Sequence, residues 1–96
     1  MTVSHTFSFD SNPDGARGVA AELRRRGFAR IWLGEEISGD GYWHVVARRR
    51  QALNERVFVN ARRELRRLAV TNGGVYDGWS VQSGGDTLLA LLPRRH

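Results

Sequence analysis

Ser80, His44 and Asp77 supply, on paper, the residue types of a hydrolase triad, and His5 and His96 add two further histidines. Triad chemistry needs a base hydrogen-bonded to its nucleophile and an acid behind the base. Nothing around Ser80 has the pattern of a strained nucleophile turn. The histidines are far apart and show no metal-ligand spacing. Cysteine is absent, which excludes disulfides, thiolate metal sites and thiol nucleophiles and fits a reducing compartment. Glu35 and Glu36 are neighbours in a strand-like segment, so they face opposite sides and make a poor acid–base pair. The glycine pairs at 73–74 and 84–85 read as turns rather than phosphate-binding loops. Neither an enzyme nor a metal or cofactor site is expected from these residues.

Arginine is the other chemistry in the chain. All 15 lysine-or-arginine positions are arginine, and the net charge is +5. Arginine suits planar, bidentate contacts to phosphate and carboxylate, although codon usage in a GC-rich genome is the simpler source of the bias. Either way, the charge favours polyanions such as RNA or acidic protein surfaces. The chain has 96 residues with 41% apolar content, enough for one domain with one modest core. No apolar run is long enough for a membrane span, and the N-terminus lacks a signal-peptide layout, so a cytoplasmic location is expected.

These residues must be positioned by secondary structure, and the pattern is legible. SHTFSFD alternates His5, Phe7 and Phe9 against Thr6, Ser8 and Asp10, the period of a half-buried strand. A helix follows, with Asn12 as cap, Pro13 in the first position, Asp14 on the positive end, and Ala16, Val19, Ala20 and Leu23 as its apolar stripe. Gly27 stops it. Residues 30–36 and 42–49 read as two strands joined through Gly39, Asp40 and Gly41. Asn54 opens a second helix to about Thr71, with Phe58, Ala61, Leu65 and Leu68 inward and Arg56, Arg63 and Arg67 outward. VYDGWSVQ is a fourth strand. The order predicts an α+β, ferredoxin-like split βαβ sandwich (βαββαβ): a four-stranded antiparallel sheet with two helices on one face. Residues 1–83 are assigned to this domain, and 84–96 to a C-terminal tail of uncertain structure.

The topology brings Arg24, Arg25, Arg26, Arg30, Arg48, Arg49, Arg50 and Arg56 to one pole, a candidate anion-binding surface. Asp10, Asp14, Glu35, Glu36, Asp40 and Asp77 collect at the other, diluted by Arg66 and Arg67. Solvated arginines complementing a helix end would give the same pattern. Trp32, Tyr42, His44 and Tyr76 are placed on the sheet face away from the helices, a candidate interface. Within GGVYDGWS, Gly78 sits inside a strand pattern, where it predicts a bulge or a close backbone approach. Tyr76 and Gly78 would share one face, and Val75, Asp77 and Trp79 the other, unless a bulge shifts the phase.

Asp10 before the first helix, Gly27-Phe28 after it, Gly39-Asp40-Gly41 in the hairpin and the closing Gly73-Gly74-x-Tyr76-Asp77-Gly78-Trp79 resemble the family called regulator of ribonuclease E activity B. The resemblance spans roughly residues 7–82; the closing motif is its specific part. It implies the same fold and a non-enzymatic protein that binds an endoribonuclease of the ribonuclease E type and lowers RNA cleavage. The chain departs from the family's acidic character and lacks an acid-rich extension. Tyr76, Asp77, Gly78 and Trp79 would then be either structural, with Trp79 anchoring the core, or partner-binding. Two other readings stand beside this one. One is a basic RNA-binding module using the arginine pole and aromatic sheet face, although DGYWHVVA only faintly echoes RNA-recognition strands. The other is a homodimeric scaffold.

Overall fold

The alternation in SHTFSFD becomes the central strand, β1 (Thr2–Asp10), whose Val3, His5, Phe7 and Phe9 are buried. In the computed structural model, which describes residues 2–35, 42–51 and 54–82, β1 is flanked by β3 (Tyr42–Arg50) and β4 (Val75–Gln82). Strand β2 (Arg30–Glu35) pairs with the outer side of β3, giving the order β2-β3-β1-β4 with every neighbour antiparallel. Helices α1 (Pro13–Arg25) and α2 (Glu55–Thr71) complete the expected β-α-β-β-α-β sequence. The hairpin residues 39–41 and the segment 84–96 lie outside the described residues.

Each helix begins where the sequence chemistry places it. The Asn12 side chain accepts the Gly15 amide hydrogen, and Asn54 accepts that of Val57, so each cap satisfies an otherwise orphaned donor. Helix α1 ends as the Arg26 amide reaches back to Glu22 and Leu23, followed by Gly27 at φ +96°. Ala16, Val19, Ala20 and Leu23 of α1 join Leu65, Leu68 and Ala69 of α2 against Phe7, Phe9, Val45, Ala47 and Tyr76 of the sheet. One face of the sheet is thus covered. The other carries Trp32, Tyr42, His44 and Val46, and neither described helix packs on it. Among the described residues, no helix is long and apolar enough to cross a membrane.

The two helices are joined end to end by an asparagine pair. While the Asn12 carbonyl oxygen caps α1, its Nδ2 donates to the backbone oxygen of Asn72 at 3.1 Å. Asn72 in turn donates through its own Nδ2 to Leu68 O at 2.9 Å. This close approach requires a residue without Cβ at Gly15, because a Cβ there would stand 2.2 Å from Asn72 O. Alanine favours helix interiors over glycine by about 1 kcal/mol, yet Gly15→Ala is expected to lower stability by about 1–3 kcal/mol through overpacking against backbone. Urea denaturation checks the sign.

Candidate functional site

The fourth strand carries one residue too many for its partner. Thr6 of β1 faces Gly78, and the next residue, Phe7, faces Tyr76, so Asp77 is the extra residue of a β-bulge. Gly78 has φ +142°, and a Cβ on it would meet nothing within 4 Å. The glycine is therefore needed for its backbone conformation and not for a close approach, which corrects that half of the expectation. Extra residues of this kind reverse the inside–outside phase downstream of them.

That reversal decides where the motif's side chains go. Tyr76, expected on the open sheet face, points instead into the core and is only 8% exposed. Its ring packs edge-on to Phe7, with centroids 5.3 Å apart. Asp77 and Val75, expected on the helix side, belong to the open face: Val75 lies opposite Ser8, and Asp77 accepts the Ser8 hydroxyl. Trp79 lies opposite His5 on the helix side. There it meets Phe58 of α2 edge-on, at a centroid distance of 4.5 Å. It does not anchor the core, because 43% of its surface remains exposed.

Beneath this strand lies a polar contact that the sequence pattern did not announce. His5 is fully buried, among the rings of Phe28, Phe58 and Tyr76. Its Nε2 faces Gln51 Oε1 at 3.3 Å, and its Nδ1 faces the Tyr76 hydroxyl at 2.8 Å. An amide oxygen can only accept, so Nε2 carries the proton and Nδ1 accepts from Tyr76. Burial, helped by the charge of Arg49 and opposed by the Gln51 bond, lowers the His5 pKa from 6.5 to about 4. Burial likewise raises the Tyr76 hydroxyl's pKa. His5 was legible as part of an apolar face with Phe7 and Phe9, but its partners come from β4 and the residue after β3, far away in sequence.

In agreement with the sequence, no triad assembles on Ser80, which lies opposite Ser4. Instead Ser8 receives both neighbours: its hydroxyl donates to Asp77, and its oxygen lies 3.4 Å from His44 Nδ1. Serine stands between acid and imidazole, whereas nucleophile activation needs the imidazole between serine and acid. The arrangement ties the bulge to β1 and β3. Among the described residues no group of three potential ligands could hold a metal.

The predicted arginine pole is divided among several surfaces. Arg30 lies directly opposite Arg48, and Arg50 opposite Thr2, so the β2 start and β3 end share one end of the sheet. Arg25 and Arg26, exposed at the end of α1 with Arg24, pair with Glu22 at 2.6 and 2.9 Å. The bond from Arg26 and the nearby charges hold the Glu22 carboxyl below its ordinary pKa. Arg49 turns to the helix side and stacks over Phe28, 4.3 Å from the ring centroid, which commits it to packing. Arg56 stands in the exposed first turn of α2. On the sheet face away from α1 and α2, Trp32 is 54% and Tyr42 41% exposed. Tyr42 stacks with His44 at 6.5 Å and 26°.

Two measurements follow from this geometry. Gly78→Ala is expected to cost about 1–3 kcal/mol from backbone strain alone, visible as a lower Tm without loss of β-sheet circular dichroism. For His5, the folded pKa near 4 lies below the ordinary 6.5, so the contribution is whole above pH 6.5 and is lost as pH falls toward 4. The unfolded chain takes up the proton first. Between pH 7 and 5 the loss should reach about 2 kcal/mol, and the His5 ring signals in NMR should stay those of a neutral imidazole throughout. A protonated His5 in the folded state at pH 5.5 would contradict this account.

A family model described as "Regulator of ribonuclease activity B" matches residues 1–81. No curated protein and no solved structure matches the chain. The match runs from the central strand through the bulged strand, and so takes in Gly73, Gly74, Tyr76, Asp77, Gly78 and Trp79. With this match over most of its length, and with the strand and helix order it shows, the chain belongs to the regulator of ribonuclease activity B family.

Proposed function

We propose that this protein is a non-catalytic regulator that binds an endoribonuclease of the ribonuclease E type and lowers RNA cleavage. Family membership implies regulation of ribonuclease activity; direct binding and the identity of the enzyme are the further step. The observation that supports it is the half-exposed Trp79, held against Phe58 on the outer strand of the sheet. A tryptophan built only for packing would be buried, whereas tryptophans in partner interfaces carry disproportionate binding energy. The bulge sustains this exposure. By turning Tyr76 inward it fixes β4 to the core, and Trp79 then sits on the same side at the rim. Val57 and Val59 of α2 are also exposed, extending the apolar character near Phe58.

Occlusion or remodelling of the enzyme through this rim requires no chemistry from the protein itself. The reading is tested with immobilised protein and nuclease-treated ribonuclease E from the same organism, across a salt series. Binding that persists at moderate salt is expected, since apolar contacts are far less screened than phosphate contacts. Trp79→Ala should weaken that binding roughly tenfold or more. Because only part of the indole is buried, the melting temperature should fall by no more than several degrees. Unchanged binding by a folded Trp79→Ala variant would remove the rim from the interface, and failure of the wild-type protein to bind RNA-free enzyme would overturn the reading.

A further inference from the structure

The corner of the open sheet face at the start of β2 holds an unusual pairing. Arg30 and Arg48 are directly opposed across the β2–β3 ladder, with Trp32 the next residue on the same face of β2. Like charges in opposed positions destabilise a sheet. The ion pairs among the described residues are Arg17 with Asp14, and Arg25 and Arg26 with Glu22; Arg30 and Arg48 enter none of them. Arg48 is held in place instead, its Nε donating to the buried Ser4 hydroxyl at 3.2 Å. The Trp32 indole lies along the backbone at Gly34, where a Cβ would stand 2.7 Å from the ring. The six-membered ring is therefore backed by the strand at Gly34, and the residue is still 54% exposed. Around these side chains, with Val46 beneath, runs an open groove of about 520 Å³.

We infer that this corner binds single-stranded RNA, with a base stacked on Trp32 and adjoining phosphates held by Arg30 and Arg48. Arg48, held by Ser4, and the exposed Arg30 opposite it, neither paired with a carboxylate among the described residues, call for an anion, and phosphate is matched by their bidentate geometry. An acidic peptide would satisfy the charge but leave the flat, strand-backed indole without a planar partner. A polynucleotide supplies both, since stacking on an aromatic beside a basic track is how single strands are held without sequence reading. The corner is separate from Trp79, which lies on the helix side of the opposite edge strand. The inference therefore stands independently of ribonuclease binding.

The test is fluorescence anisotropy of a short fluorescein-labelled oligoadenylate with the full chain, in potassium chloride from about 50 to 200 mM. Wild-type binding should weaken linearly on a log–log plot. Trp32→Ala should bind roughly tenfold more weakly at an unchanged salt slope, and Trp32→Phe should recover most of the loss by restoring a ring. Arg30→Ala with Arg48→Ala should flatten the slope by about 1.4, the value for two phosphates on a single strand. Trp79→Ala should leave RNA binding intact, which separates this site from the enzyme-binding rim. Absence of binding at the lowest salt would overturn the inference. So would insensitivity to Trp32→Ala, or equal competition by polyglutamate of matched charge, which would make the corner an acidic-peptide site.

Discussion

The extra residue in β4 is the constraint on which the rest of the structure depends. Without it, Tyr76 and Trp79, three positions apart, would point to opposite faces of the sheet. With Asp77 inserted between the pairs Thr6–Gly78 and Phe7–Tyr76, both rings stand on the helix side. The bulge is held from both directions. Gly78 adopts a backbone conformation that side chains resist, while Asp77 is tied to Ser8 on the open face. Bulges are common where a strand must re-aim a side chain, and here the re-aimed residues are those of the family motif.

The inward turn of Tyr76 links the bulge to the polar centre of the core. A buried histidine is tolerated only if both ring nitrogens are satisfied and the ring stays neutral. Tyr76 and Gln51 meet those needs from two separate parts of the chain, so His5 joins β4 to the segment after β3. Arg49, over Phe28, lies against the same aromatic group. The core and the basic end of the molecule are therefore mechanically connected, and one arginine of the charged end is part of the packing rather than a free cation.

This arrangement leaves two tryptophans at opposite edges with different surroundings. Trp79 leans on Phe58 near exposed valines, a setting suited to another apolar surface. Trp32 leans along its strand toward Gly34, beside the opposed Arg30 and Arg48, a setting suited to a planar anion. A ribonuclease regulator with both surfaces could engage an enzyme and its substrate strand at once, because neither site occupies the other's face of the sheet.

By itself, the sequence determined the helices, their asparagine caps, the strand alternation and the order of elements, because these depend on local spacing and on residues a few positions apart. It also marked Gly78 as a break in a strand and placed Trp32, Tyr42 and His44 on the face away from the helices. Only the tertiary structure decided the side on which Tyr76 falls, the choice of Ser8 over Ser80 as partner of Asp77, and the diversion of Arg49 from the charged pole to Phe28. It likewise decided that Trp79 would sit at the rim instead of in the core. For Arg49 and Trp79 the reason is that alternation gives the face of a side chain but not its packing partner or its distance from the sheet edge; for Tyr76 and Asp77 it is the bulge. Alternation specifies which residues share a face only up to the next irregularity, and a single inserted residue, set by pairing with a distant strand, inverts every assignment beyond it.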